Sequence, residues 1–327
     1  VAFGDVWTIK SALDWTIGYL ERKQDANARL SSEKLMSFAT GLSRIEVYTN
    51  YDKPLSMEER NVLREAVQRR AAGEPLQYII GEVGFRHIDI KVRKGVLIPR
   101  PETEVLVSEV LSELPPPSRP RAKDYIDSLP GENMPEVALD EDASEQSIKA
   151  SSSIYVADLC TGSGCVACSL AYEHSAIRVV ATDISQHATD LAEENVQRLG
   201  LSDRVQVLQC DLGSGIDSEL LGTFDAVVSN PPYVPSAVMQ HLPSEVSAFE
   251  PALALDGGED GLSIYRRIVC WARSALKIGG VLAVELHETC LDSAADFARN
   301  SGFNGVRIVN DLAGKPRVLV ARLEERE

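Results

Sequence analysis

The segment Ser229-Asn-Pro-Pro-Tyr233 follows Phe224–Ser229, a short apolar run that reads as a strand. Prolines 231 and 232 remove two backbone N–H groups and stiffen the turn, leaving carbonyls to face the space beyond the strand end. The side-chain oxygen of Asn230 and the carbonyl of Pro231 could then accept both hydrogens of a substrate –NH₂. An amide nitrogen is a poor nucleophile because its lone pair is delocalised. Holding its two hydrogens polarises the group and aims the nitrogen, with gains from orientation and placed dipoles. Tyr233 would close over the planar group. Acceptors alone suit methyl transfer from a sulfonium, a reaction that needs no metal and no covalent intermediate. The segment therefore points to N-methylation of an amide or exocyclic amine, with Asn230, Pro231 and Tyr233 as catalytic residues and Asn230 to Tyr233 as the substrate cradle.

A second constellation supplies a place for the methyl donor. Asp158-Leu-Cys-Thr-Gly-Ser-Gly164 follows one strand and precedes a helix. Gly162 and Gly164 let backbone approach a ligand closely, and the helix N-terminus offers free N–H donors. Such a loop fits either a pyrophosphate or the amino-acid tail of S-adenosyl-L-methionine. Ala167 stands at the third position of a GxGxxG fingerprint, a tolerated variant, so spacing alone keeps NAD open. Asp183, ending the next strand, can accept both ribose hydroxyls of an adenosine. Asp211, ending the third, sits where an adenine amino group would fall. Each aspartate also suits a plain helix N-cap.

These residues need elements to hold them. Ser11–Leu20 and Ala28–Thr40 read as helices, the second ended by Gly41. Ser56-Met-Glu-Glu59 is a capping-box pattern for a helix ending near Ala72 and Gly73. Gln77–Gly81, Phe85 and Ile88–Val92 read as short strands, a hairpin that links two domains. Pro99-Arg-Pro101 interrupts it, and Glu102–Leu111 resumes as an amphipathic helix. The acidic, proline-bearing stretch from about 114 to 153 reads as a flexible insertion.

Beyond it strands (155–158, 178–182, 205–208, 224–229, 281–285) alternate with helices, clearest at His187–Leu199, where Ala188, Leu191, Ala192, Asn195, Val196 and Leu199 make a buried stripe. That alternation predicts a Rossmann-like α/β fold, mostly parallel and doubly wound. Val306–Val309 and Val318–Ala321 flank Ala313-Gly-Lys-Pro316 and should pair antiparallel. The expected division is a helical domain over 1–75, a hairpin linker over 76–99 and a cofactor-binding domain over 100–327.

Composition narrows the partners. The formal net charge of −16 argues against non-specific nucleic-acid binding. No apolar run approaches the ~20 residues of a membrane helix, and no secretory segment opens the chain, which suggests a soluble intracellular protein. Cys165 and Cys168 form a lone CxxC where a helix should begin, so small packing residues are expected rather than a metal site. The scattered cysteines fit a reducing compartment.

Three longer strings accompany Asn230–Tyr233 and the Asp158 loop: Gly73-Glu-Pro-Leu-Gln-Tyr-Ile-Ile-Gly81, Leu97-Ile-Pro-Arg-Pro-Glu-Thr-Glu104 and Glu250-Pro-Ala-Leu-Ala-Leu-Asp-Gly-Gly-Glu-Asp-Gly261. Together they resemble the HemK-type release factor glutamine methyltransferases over nearly the whole chain except the acidic insertion. The resemblance implies methylation of the Gly-Gly-Gln glutamine of class I peptide chain release factors, with the helical domain gripping that protein. It implies cofactor contacts by Cys160, Thr161, Gly162, Ser163, Gly164 and Asp183, with Asp211, Leu212 and Asn230 completing that site. Pro101 and Thr103 are expected at the methionine end. Cys160 departs from the family's usual glycine, and Leu286-His-Glu-Thr289 departs from its pattern after Glu285, a region expected to lie outside the transfer machinery. The wording of Gly41–Tyr48 resembles bacterial members, favouring a bacterial cytoplasm over a mitochondrial matrix. The rival readings are an N6-adenine or N4-cytosine DNA methyltransferase, a non-catalytic translation-associated binding protein and an NAD dehydrogenase. The first would need a base-flipping pocket and phosphate contacts; the last lacks a catalytic Tyr/Lys or His/Asp arrangement.

Overall fold

The computed structural model describes residues 6–116 and 153–324. Four helices open it: α1 (Ile9–Arg22), α2 (Ala28–Thr40), α3 (Arg44–Thr49) and α4 (Met57–Ala71). Their ends follow local chemistry. Ser56 Oγ accepts the Glu59 N–H while the Glu59 carboxylate accepts the Ser56 N–H, the reciprocal cap read from the sequence. Gly41 ends α2 with a left-handed φ of 69°. The unforeseen α3 carries the same device, Ser43 with Glu46. Apolar side chains of α1, α2 and α4, among them Ile9, Leu20, Leu35, Met36 and Val67, form one cluster.

One sequence reading is corrected at this point. Gln77–Gly81 was expected to be a strand, but Leu76–Ile80 is a helical turn, α5, ended by Gly81 at φ 85°. The turn sends Tyr78 to the core beside the sheet and Ile79 to the helical cluster, opposite directions that join the two bodies. The hairpin itself follows: β1 (Glu82–Phe85) pairs antiparallel with β2 (Ile88–Lys91). Then comes α6 (Thr103–Glu113). The acidic stretch expected at about 114–153 lies almost wholly outside the described residues.

The remaining strands are β3 (Ile154–Leu159), β4 (Ile177–Asp183), β5 (Val205–Gln209), β6 (Phe224–Ser229), β7 (Leu276–Glu285), β8 (Phe303–Asn310) and β9 (Pro316–Leu323). They form one sheet in the order β5-β4-β3-β6-β7-β9-β8. β3 to β7 pair in parallel, whereas β9 pairs antiparallel with β8, as the turn residues foretold, and also with β7. Helices α7 (Cys165–Glu173), α8 (Gln186–Arg198), α9 (Ser244–Ser247), α10 (Ser263–Ala275) and α11 (Leu291–Asn300) complete it. One apolar cluster joins α6 and α7 to the sheet and another joins α10 and α11 to its other face. This is the class I methyltransferase architecture.

Chain order reverses between β3 and β6, which are neighbours with Leu159 opposite Ser229. Crevices at such switch points, beyond the carboxyl ends of parallel strands, are where open α/β sheets bind ligands. Both chemical segments of the sequence leave the sheet there.

Candidate active site

The loop after β3 is shaped by alternating left-handed residues: Cys160 at φ 59°, Gly162 at 58° and Gly164 at 79°. Gly164 is also closely packed, since a Cβ there would lie 3.1 Å from the Ala192 Cβ of α8. At Gly162 a Cβ would meet nothing within 4 Å, so only its conformation asks for glycine and the space beside it is open. Asp158 lies beneath the loop, where one carboxylate oxygen accepts the Thr161 hydroxyl at 2.6 Å and the Ala167 N–H at 3.2 Å. Burial pushes its carboxyl up to about 7 against those two donors. Asp183 ends β4 with one oxygen on the Gly162 N–H and the other on the Ser185 N–H, both at 2.9 Å. Its pKa is likewise raised by burial, which these backbone donors oppose.

A cavity of about 220 Å³ lies above this loop. Cys160 to Ser163, Asp183, Asp211, Leu212, Asn230 and Pro232 reach it, so the expected residues from four strand ends converge. Gly164, Pro231 and Tyr233 do not line it. Leu97, Pro99 and Arg100, from the segment after the hairpin, close one side, and Thr103 joins them while Pro101 does not. The donor set suits the proposed cofactor. Asp183 retains lone pairs for a ribose diol, the loop exposes backbone at an open glycine, and Leu212 and Ile264 offer apolar walls. Asp211 is engaged by Arg267 at 2.6 Å. Among the described residues, no three His, Cys, Asp or Glu side chains gather as a metal site.

Asn230 leaves β6 beside this space. Its amide nitrogen donates to the Thr103 hydroxyl at 3.1 Å, which turns the amide so that its carbonyl oxygen stays available as an acceptor. Tyr233 is partly buried, and its hydroxyl donates to Glu285 at 3.1 Å. Burial first, and the Glu285 charge second, push the phenol upward. The turn is held from behind by the Glu250–Gly261 string: the Val234 N–H bonds to Leu255, and the Gly257 N–H to Val234, both at 2.8 Å. A Cβ at Gly257 would lie 2.7 Å from the Tyr233 Cα, so glycine is needed for this contact. Glu250 itself is buried and pairs with Arg100 at 2.5 Å.

Sequence reasoning missed Glu285. It ends β7 in an apolar run, and only the sheet order brings it beside the Asn-Pro-Pro-Tyr turn; a carboxylate after Val281-Leu-Ala-Val284 was the available signal.

Known proteins bear on this arrangement directly. Two family models match: the PrmC N-terminal domain over residues 11–81 and the methyltransferase small domain over 145–243. A release factor glutamine methyltransferase of Geobacter sulfurreducens is 38% identical over 98% of this chain and 98% of its own length. The chain belongs to the release factor glutamine methyltransferase family. A second member, from Rhodopirellula baltica, is 36% identical over 96% of this chain and 95% of its length. A third member of the release factor glutamine methyltransferases, from Moorella thermoacetica, is 35% identical over 97% and 99%. A solved methyltransferase of Pyrococcus furiosus also matches, at 19% identity and a TM-score of 0.41, over 53% of this chain and 77% of that one.

Proposed function

We propose that this chain transfers a methyl group from S-adenosyl-L-methionine to the side-chain amide nitrogen, N5, of the glutamine in the Gly-Gly-Gln motif of class I peptide chain release factors. The polarity of Asn230 carries the reading. With one N–H of its amide given to Thr103, its carbonyl oxygen is free to accept, the group a substrate –NH₂ requires.

When bound, the cofactor supplies an electrophilic methyl group on a sulfonium. Asp183 and the Cys160–Gly164 loop would hold its adenosine and amino-acid ends, with Asp211 and Leu212 at the adenine. The Asn230 oxygen and the Pro231 carbonyl would hold the two hydrogens of the glutamine amide and aim its nitrogen along the line of attack. Pro232 and Tyr233 would complete the cradle. Residues 1–75 would form the body that grips the release factor, the 76–99 hairpin the link, and 100–327 the transferase. The net charge of −16 supports a protein rather than a duplex partner. No helix among the described residues is long and apolar enough to cross a membrane, and the bacterial relatives support a bacterial cytoplasm.

Incubation of the protein with the cofactor and a class I release factor, followed by peptide mass spectrometry, tests the proposal. One added methyl on the Gly-Gly-Gln glutamine is expected. In Asn230→Ala the transfer rate should fall about fivefold to 150-fold, about 1–3 kcal/mol for an unpaired hydrogen in the transition state, with a smaller effect on cofactor binding. Methylation of DNA but not of the factor would overturn the substrate.

A further inference from the structure

The helical body carries a cavity of its own, about 400 Å³ in volume, between α1 and α4. Trp7 lines it with Trp15 and Tyr19 of α1, and Arg60, Leu63 and Arg64 of α4 face them. Trp15 and Tyr19 are four residues apart and share a helix face. Their rings stack with centroids 5.0 Å apart and planes 8° from parallel. Trp7 meets Trp15 edge-on at 6.1 Å. Tryptophan is mostly buried in folded chains, yet Trp15 at the centre of this ladder is 46% exposed.

The charge of the cavity is opposite to that of the molecule. Acidic residues outnumber basic ones by 49 to 33, but no described Asp or Glu lines the cavity. Arg69 and Arg70, further along α4, pair with Glu74 and Asp25. Arg60 and Arg64 form no ion pair among the described residues. Arg60 Nη2 donates to the Met57 sulfur at 2.7 Å, and its Nε is buried without a hydrogen bond. Arg64 donates only to the neutral Asn61 Oδ1, at 3.2 Å. Lys23 adds a third cation, 5.8 Å from the Tyr19 ring centroid.

We propose that this cavity docks an acidic segment of the protein substrate, which brings a carboxylate to Arg60 and Arg64 and an apolar side chain to the aromatic ladder. The inference rests on the function proposed above and gives the grip of the helical body a place and a chemistry. A guanidinium fork matches a carboxylate, and a partly exposed aromatic ladder gains by covering with apolar surface. The net charge of −16 repels a chain of phosphates and so favours a protein ligand. Arg64 precedes Arg70 by six residues, roughly 9 Å along the helix. Arg70 in turn holds Glu245, in the segment after the Asn-Pro-Pro-Tyr turn, at 2.7 Å. A folded domain of 100 residues has a radius of gyration of about 13 Å, so one seated at the turn covers such an interval.

Calorimetric titration of the protein, saturated with S-adenosylhomocysteine, with an intact class I release factor tests the proposal. Kd should rise about tenfold to a hundredfold in Trp15→Ser and in Arg64→Glu, with thermal midpoints close to that of the parent. Lys34→Glu makes the same change of net charge at an exposed site that does not line the cavity, and its Kd should stay within about twofold of the parent's. Parent-like Kd in Trp15→Ser and Arg64→Glu, or an equal loss in Lys34→Glu, overturns the docking site. Binding of a single-stranded RNA oligonucleotide that Arg64→Glu abolishes overturns the choice of a protein ligand. A parent that methylates no release factor overturns the proposed function instead. The cavity is then judged by tryptophan fluorescence with a synthetic acidic peptide carrying one leucine. A change of emission in the parent that is lost in Arg64→Glu upholds the site, and an unchanged emission in the parent overturns it.

Discussion

At the scale of single residues, the site is built from polar groups withdrawn from water and held by few partners. Asp158 shows what that implies for pH. Its carboxyl is raised by burial from the ordinary 3.8 to about 7, so the folded chain holds this proton more tightly than the unfolded one. Its contribution to stability is therefore fully present below about pH 4 and is lost as pH rises through about 7. Asp158→Asn keeps an oxygen for both the Thr161 hydroxyl and the Ala167 N–H but cannot ionise. Urea midpoints of parent and variant should diverge between pH 5 and pH 8, with the parent losing ground as pH rises. Parallel curves would show that Asp158 does not titrate there. Cys160 illustrates a different constraint. It occupies a left-handed φ of 59°, a region that disfavours side chains, and its thiol is pushed upward chiefly by burial. The departure from glycine at this position therefore has a conformational cost that the sequence did not disclose.

Elements matter through how they are tied together. Asn195 is fully buried on α8, within the apolar stripe read from the sequence. Its side-chain oxygen accepts the Lys91 N–H at 2.8 Å, and its nitrogen donates to Lys91 O at 3.1 Å and to Ser163 O at 2.9 Å. One amide thus fastens the hairpin to the loop after β3. Asn195→Leu would fill the space but strand these backbone groups, lowering stability by about 2–3 kcal/mol. A urea titration should show this as a lower midpoint with an unchanged slope; a parent-like midpoint would refute the pin.

The strands of the sheet and the two loops at its switch point were legible because period, glycine and proline all agreed. The turn at Leu76–Ile80 was not, because Tyr-Ile-Ile favours strands on propensity and five residues are too few for a helical period to appear. Its flanking Pro75 and Gly81 carried the better signal, as Ser43 and Glu46 did for α3. Glu285 was illegible for another reason. Its partner Tyr233 lies far away in sequence, so only topology unites them.

For the whole molecule, the question is how the helical body is tied to the Asn-Pro-Pro-Tyr turn. Arg70 at the end of α4 pairs with Asp25 and Glu245, each at 2.7 Å, and donates to Glu74 O. Glu245 lies on α9, in the segment that follows the Asn-Pro-Pro-Tyr turn. Arg70 and Asp25 are nearly buried, so removing the cation leaves a carboxylate without its partner. Arg70→Met should cost about 3 kcal/mol and loosen this segment from the helices. In steady-state assays the KM for an intact release factor should rise severalfold, with little change for a short glutamine peptide. Equal effects on both substrates would place the defect at the reacting turn and not between the bodies.

The adjacency of β3 and β6 has an evolutionary consequence. The segments proposed to hold methyl donor and acceptor each leave the end of a strand, and those strands lie side by side with Leu159 opposite Ser229. The distance between the two groups is consequently inherited with the sheet, not with the number of residues that separate them along the chain. A connection such as that between α6 and β3 can lengthen over generations while the reaction retains its dimensions, because closing a longer loop costs only slightly more entropy. Lineages are free to rewrite these connections and still pass on the same chemistry.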